Sequence, residues 1–248
     1  MGLTIHYALT FQPEHKDKAE AQIKDVVTQM RDLALKFKDE GRFDAVTAAG
    51  FDGRKKAMAV AWVIVPLPSD DDIPTSTGIE VTPSAGKLFF VSVGQGCEPL
   101  LLGLCQYPAK VKGGRREFDT GRGEGWSLQC FCKTQYASRQ GWEHFARCHC
   151  AVVDYLAALE PLGVRAQIMD EGGYWPGRCL KTLRQKIDEM NGIVAATAGI
   201  LKDLADESGG QPVESPIFEH PQFERLEAEG APRTKGLRRL FKKRGLGG

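Results

Sequence analysis

Cys132, His149 and Asp170 are of the types that form a nucleophile, a base and an orienting carboxylate, and one strand-helix-strand unit can bring them to one level. In a thiolate-imidazolium pair, His149 lowers the Cys132 pKa and Asp170 orients the ring; acyl transfer or thiol-dependent hydrolysis then follows. The same side chains suit zinc, which accepts neutral imidazole, thiolate and carboxylate. A third reading makes His149 a core histidine whose ring N–H meets Asp170, with Cys132 a small buried hydrophobe.

The elements that position these residues follow from hydrophobic spacing. Trp142, Phe145, His149, Val152, Leu156 and Leu159 recur at three- and four-residue steps, which predicts a helix near Gln140 to Leu159 with a buried His149 on its apolar stripe. His149 stands roughly 20 Å above the turn at Pro161-Leu162-Gly163, and Asp170 stands roughly 20 Å along the strand that begins at Val164. Leu128, Cys130, Cys132, Thr134 and Tyr136 share one face of a strand near Trp126 to Tyr136, and Val164, Ala166, Ile168 and Asp170 share one face of the next. With the two strands as parallel neighbours and the helix over both, the three residues are level. The core stripe under His149 and the mid-strand position of Cys132 both weigh toward the core reading.

Other candidates have weaker spacing. Cys130-Phe131-Cys132 and Cys148-His149-Cys150 have one residue between cysteines where a zinc ribbon has two, and on a helix Cys148 and Cys150 diverge by about 200°. His144 and Cys148 share a helical face, as residues of a solvated face also do. Cys97 and Cys105 flank the apolar run Leu100-Leu101-Leu102-Gly103-Leu104, which points to burial. Gly121-x-Gly123-x-Gly125, with Arg115, Arg116 and Arg122 nearby, has the composition of an anion-binding loop, although it precedes a strand and does not open a helix.

The net charge of the 248 residues is +1, yet Ala231 to Gly248 carries +7 and no acid, leaving −6 elsewhere. That asymmetry argues against a body-wide nucleic-acid footprint and for an electrostatic tail. Arg238, Arg239, Lys242, Lys243 and Arg244 lie opposite Leu237, Leu240 and Phe241 on a helix, a pattern that binds nucleic acid, an anionic surface or an acidic protein. Pro216-Ile217-Phe218 and Phe223 to Leu226 are apolar islands that can dock on a partner or on the body. No segment approaches the roughly 20 apolar residues that span a bilayer, and the N-terminus lacks the plan of a signal peptide. Seven cysteines, an odd number, fit reduced thiols, and a cytoplasmic location is expected.

Elsewhere, Leu3, Ile5, Tyr7, Leu9 and Phe11 alternate as a strand with His6 turned away from the core, and Ala19 to Phe37 reads as a long amphipathic helix. Lys56 to Val65 reads as a strand covered on both faces, and Ile79 to Thr82 and Lys87 to Val93 as a strand pair. Gly94 to Gly125 reads as a long irregular loop, and Arg178 to Ala205 as a helix.

Gly2-Leu3-Thr4-Ile5-His6-Tyr7, Phe131-Cys132-Lys133-Thr134-Gln135-Tyr136-Ala137-Ser138, Arg147-Cys148-His149 and Asp170-Glu171-Gly172-Gly173-Tyr174-Trp175 together resemble an uncharacterised family of bacterial proteins. The resemblance spans most of the body, leaves out the tail, and implies neither a fold nor a reaction.

The expected architecture is an α+β domain over residues 1–205, a mixed sheet built from two strand-helix-strand units with helices on one face, followed by a flexible tail over 206–248. Two functions stay open: a binding or adaptor protein acting through the basic tail and the Arg/Gly-rich loop, or a thiol-dependent hydrolase, acyltransferase or zinc protein. In the second, Lys133, Gln135 and Glu171 are neighbours of the site.

Overall fold

The structure, a computed structural model, describes residues 3–14, 18–48, 61–66, 78–209, 211–237 and 240–241. The strands are β1 (Thr4–Phe11), β2 (Ala45–Ala48), β3 (Val63–Pro66), β4 (Gly78–Val81), β5 (Ala85–Ser92), β6 (Leu100–Gln106), β7 (Lys110–Gly113), β8 (Arg116–Asp119), β9 (Trp126–Lys133) and β10 (Arg165–Asp170). The helices are α1 (Ala19–Asp39), α2 (Trp142–Ala157), α3 (Leu180–Ser208) and α4 (Phe223–Gly230). This is the α+β class expected. Six strands form the main sheet in the order β10-β1-β9-β6-β5-β2, and β3–β4 and β7–β8 are separate hairpins.

Each hydrogen-bonded pair in the sheet is antiparallel. Consequently β9 and β10 run parallel to each other but are not neighbours, because β1 lies between them as in a split β-α-β unit. The expectation of adjacent parallel strands is corrected here. Alternation places Ile5, Tyr7 and Leu9 on the same face as Leu128, Cys130, Cys132, Ala166 and Ile168, and it does not specify which strand fills the gap.

Helix α1 buries Ile23, Val26, Val27, Met30, Ala34 and Phe37 at helical spacing and stops at Gly41, whose φ of 73° continues the chain out of the helix. Helix α2 is buried on more than one side, with Phe145, Cys148, His149, Val152, Val153, Tyr155 and Leu156 all inside. The Tyr155 hydroxyl donates to the Met30 carbonyl at 2.8 Å and ties α2 to α1. Both helices share one core with the inward residues of the sheet.

Several expectations change. The Gly94 to Gly125 stretch is not irregular: it holds β6, a central strand, and the β7–β8 hairpin. Strand β6 is buried from Leu100 to Cys105, and an apolar run covered on both faces has no period to reveal it. Strand β4 pairs with β3 and not with the segment after it, while β5 pairs with β2 and β6. Strand β3 alternates, with Val63 and Val65 buried and Ile64 exposed; residues 56–60 of the strand expected there lie outside the described residues.

Parts of the expected tail are helical. Pro216–Glu219 forms a 3-10 turn, and α4 and Ala231–Thr234 follow, with Ile217 and Leu226 buried against Ala195 and Ala198 of α3. A Cβ on Gly230 would fall 1.8 Å from the Gly192 carbonyl oxygen, so only glycine lets α4 approach α3 this closely. The apolar islands thus dock on the body, since each buries a side chain that would otherwise face water. Arg238, Arg239, Lys242, Lys243 and Arg244 lie outside the described residues. Among the described residues no helix is long and apolar enough to cross a membrane.

Candidate functional site

Ile5 pairs with Cys132 on one side and with Asp170 on the other, so Cys132 and Asp170 stand level across the sheet. One strand separates them, which is roughly 10 Å at two interstrand spacings. His149 comes down from α2 onto Asp170: its Nε2 lies 2.9 Å from Asp170 Oδ1, and neither side chain is exposed to solvent. On the other side of the ring, Nδ1 lies 2.7 Å from the Thr134 hydroxyl, itself fully buried. Both ring nitrogens are therefore occupied, and neither bonds to Cys132.

The Cys132 thiol donates instead to the Glu98 carbonyl oxygen at 3.3 Å. Burial, and then the nearby Glu98 carboxylate, push its pKa up, so it stays a thiol at neutral pH. The thiolate-imidazolium pair is not formed. Among the described residues no group of three or more His, Cys, Asp or Glu side chains could hold a metal ion, so Cys132, His149 and Asp170 make no zinc site.

Asp170 is the hub of its turn. Oδ1 accepts from Gly172 N at 2.7 Å as well as from the ring, and Oδ2 accepts from Tyr174 N at 2.8 Å and Trp175 N at 2.9 Å. Burial alone would raise its pKa, but the His149 ring and the backbone N–H groups outweigh burial and hold the carboxyl below its ordinary value. An ionised Asp170 accepts only, which puts the proton on His149 Nε2 and leaves Nδ1 to accept from the Thr134 hydroxyl when the ring is neutral. Gly172 closes the cluster: a Cβ there would lie 2.8 Å from His149 Nε2 and 2.7 Å from Leu183 Cδ1.

The surrounding residues extend the network. Gln135 Oε1 accepts from Leu3 N at 3.2 Å, its Nε2 donates to Asn191 Oδ1 at 3.1 Å, and Asn191 Nδ2 donates to Ser138 Oγ at 3.0 Å. Glu171 Oε2 accepts from Thr4 N at 2.9 Å. The four phrases quoted above, distant in the chain, thus converge on one polar staple joining β1, the end of β9, α2 and the turn after β10. Thr134 is the member the sequence hid, because it reads as one more strand residue on the Cys132 face.

The glycine-rich run is held by its own side chains. Asp119 Oδ1 accepts from Gly121 N at 2.7 Å, and the Thr120 hydroxyl accepts from Arg122 N at 3.2 Å, so two N–H groups of the expected anion cradle are already paired. Arg115 and Arg116 are exposed at the β7–β8 turn, while Arg122 donates to Gln129 Oε1 at 2.7 Å.

On the opposite face of the sheet lies a cavity of about 680 Å³. Its floor is His6 and Ala8 of β1, Gln129 and Phe131 of β9, and Gln167 and Met169 of β10; Trp62, Val63 and Ile64 form a wall. That wall belongs to the β3–β4 region, anchored where the Tyr107 hydroxyl donates to the Ala61 carbonyl at 2.6 Å. Phe131 (50% exposed), Met169 (65%), Ile64 (56%) and Trp62 (42%) all border this cavity, and among the described residues only Leu180 and Leu240 are comparable exposed apolar side chains. A second cavity of about 400 Å³ shares His6 and Phe131 and is lined by Glu98, Lys133 and Glu171. His6 Nε2 stands 3.5 Å from Glu171 Oε1. The outward turn of His6 was legible in the sequence; Phe131 and Met169 were legible only as apolar residues on the wrong phase of their strands.

Comparison with protein-family models, with curated proteins and with solved structures found no match.

Proposed function

We propose that the chain is a binding protein whose sheet face takes a small ligand with an apolar or aromatic body and a hydrogen-bonding head. One observation carries this reading: the 680 Å³ cavity is lined by Phe131, Met169, Ile64 and Trp62 together with the polar His6, Gln129 and Gln167. A largely apolar cavity with a few converging polar groups is the usual form of a small-molecule site. The body of the ligand lies over Phe131 and Met169, and its head reaches the adjoining cavity, where His6, Glu171, Lys133 and Glu98 offer both donors and acceptors.

Titration with the dye anilinonaphthalene sulfonate tests this. Saturable binding to the native protein is expected, weakened about tenfold by Phe131→Gln, as the loss of one apolar anchor implies. Cooperative unfolding of the variant checks that it has not become a loosened state that binds the dye for other reasons. Dye binding that is absent, or that ignores Phe131→Gln, overturns the reading.

A second reading rests on the charge of the C-terminal segment, +7 over residues 231–248 against −6 elsewhere. It makes the segment that follows the docked Ala231–Thr234 turn a tether for an anionic partner. Binding to nucleic acid or to anionic vesicles, lost in high salt and on deletion of residues 236–248, tests it and separates the two partners. All seven cysteines carry free thiols, which supports a reducing, cytoplasmic setting for either reading.

A further inference from the structure

The open face of the sheet is graded along its strands. Pairing across β1 sets the outward side chains in rungs two residues apart, with about 7 Å from one rung to the next. His6, Phe131 and Met169 make one rung, and Ala8, Gln129 and Gln167 make the next toward the C-terminal end of β1. On the other side of the Phe131 rung, Thr4 stands opposite Lys133 and beside Glu171: Thr4 N donates to Glu171 Oε2 at 2.9 Å, and Glu171 N donates to the Thr4 carbonyl at 3.2 Å. Glu98, from the connection between β5 and β6, joins this end and lines the smaller cavity with Glu171 and Lys133. Among the described residues no Asp, Glu, Lys or Arg lines the larger cavity. An apolar groove thus opens at one end onto a charged one, and His6 and Phe131 line both.

We propose, resting on the reading of this face as a ligand site, that its ligand is an organic cation: an amine or quaternary ammonium carried on an apolar or aromatic body. Charge complementarity carries the proposal. Two carboxylates, Glu98 and Glu171, line the smaller cavity against one ammonium, and Lys133 Nζ lies 5.0 Å from the centroid of the Tyr136 ring, a residue that does not line the cavity. Glu171 Oε1 lies 3.5 Å from His6 Nε2, so this oxygen is turned toward the rung that the two cavities share. Phe131, half exposed on that rung, offers a ring face to a cation that sits between the cavities. The basic residue that β10 places on this face, Arg165, stands opposite Thr10, two rungs beyond His6 and about 14 Å away. The cation is therefore drawn to the Glu171 end, and its body lies over Phe131 and Met169.

The test compares ligands of one shape and three charges. The full-length protein is loaded with the neutral dye N-phenyl-1-naphthylamine at about pH 8, above the range in which histidine ordinarily titrates. The dye is then displaced with 2-naphthylmethylamine, 2-naphthylmethanol or 2-naphthylacetate. The amine is expected to displace the dye about tenfold more tightly than the alcohol, the sum of a partly exposed ion pair and a cation on an aromatic ring, and the acetate more weakly than either. High salt narrows the gap between amine and alcohol. Glu98→Gln and Glu171→Gln should each reduce that gap and leave the alcohol unchanged. Glu98 is exposed, so its variant reads the charge without disturbing the Thr4 bonds that Glu171 makes. An amine that binds no tighter than the alcohol, an advantage that survives both substitutions, or an acetate that binds tightest through Lys133 overturns the proposal and leaves the cavity reading standing. A neutral dye that does not bind at all removes both.

Discussion

Strands β1, β9 and β10 present two unlike faces built from alternate residues of the same segments. Ile5, Cys132 and Asp170 point toward the helices, and their immediate neighbours His6, Phe131 and Met169 point the other way. On the helix side, Asp170 takes four hydrogen bonds and the two nitrogens of His149 have a partner each. On the other side, half-exposed apolar rings and chains border a cavity. Side chains of the catalytic types are here consumed in holding a turn and a helix to the sheet, while exposed apolar side chains lie one residue away along β9 and β10. Burial decides the difference, since a buried polar group must be paired and a paired group is not available to a ligand.

The sharpest way to break this contrast is Asp170→Asn. It leaves the backbone N–H groups of the turn and the His149 ring without a charged acceptor, so a loss of about 3 kcal/mol or more is expected in urea denaturation. Because the native pKa of Asp170 is depressed, its contribution is fully present above the ordinary carboxylate pKa and is lost as pH falls through the native value. The gap between the wild type and Asp170→Asn should therefore narrow below about pH 4. A gap that stays constant into acid would refute the charged staple.

Gly172→Ala comes next, since its methyl group meets His149 and Leu183 inside contact distance; a loss of about 1 to 3 kcal/mol should appear as a lower thermal midpoint. Thr134→Val keeps the shape but leaves His149 Nδ1 without its donor, and about 1 to 2 kcal/mol is expected by the same measurement. At the small end, Met169→Gln on the open face should change stability by no more than about 0.5 kcal/mol while weakening dye binding. Equal stability losses for Met169→Gln and Thr134→Val would erase the distinction between the faces.

How much of this was legible follows from what periodicity encodes. The helical stripe put His149 in the core, the strand spacing set it level with Asp170, and the alternation of β1 turned His6 outward; each is a local property of a few consecutive residues. The docking of Ile217 and Leu226 was legible only as an apolar tendency without an address. Strand β6 was lost because burial on both faces removes the period.

Which element lies beside which was decided by the tertiary structure alone. Insertion of β1 between β9 and β10 separated Cys132 from His149, and the end of β9 at Lys133 delivered Thr134 to the ring in its place. The open face became a cavity because Trp62, Val63 and Ile64, remote in the chain from β1, β9 and β10, line its side. Sequence spacing fixes the direction in which a side chain points, whereas its neighbours are set by contacts between segments remote in the chain.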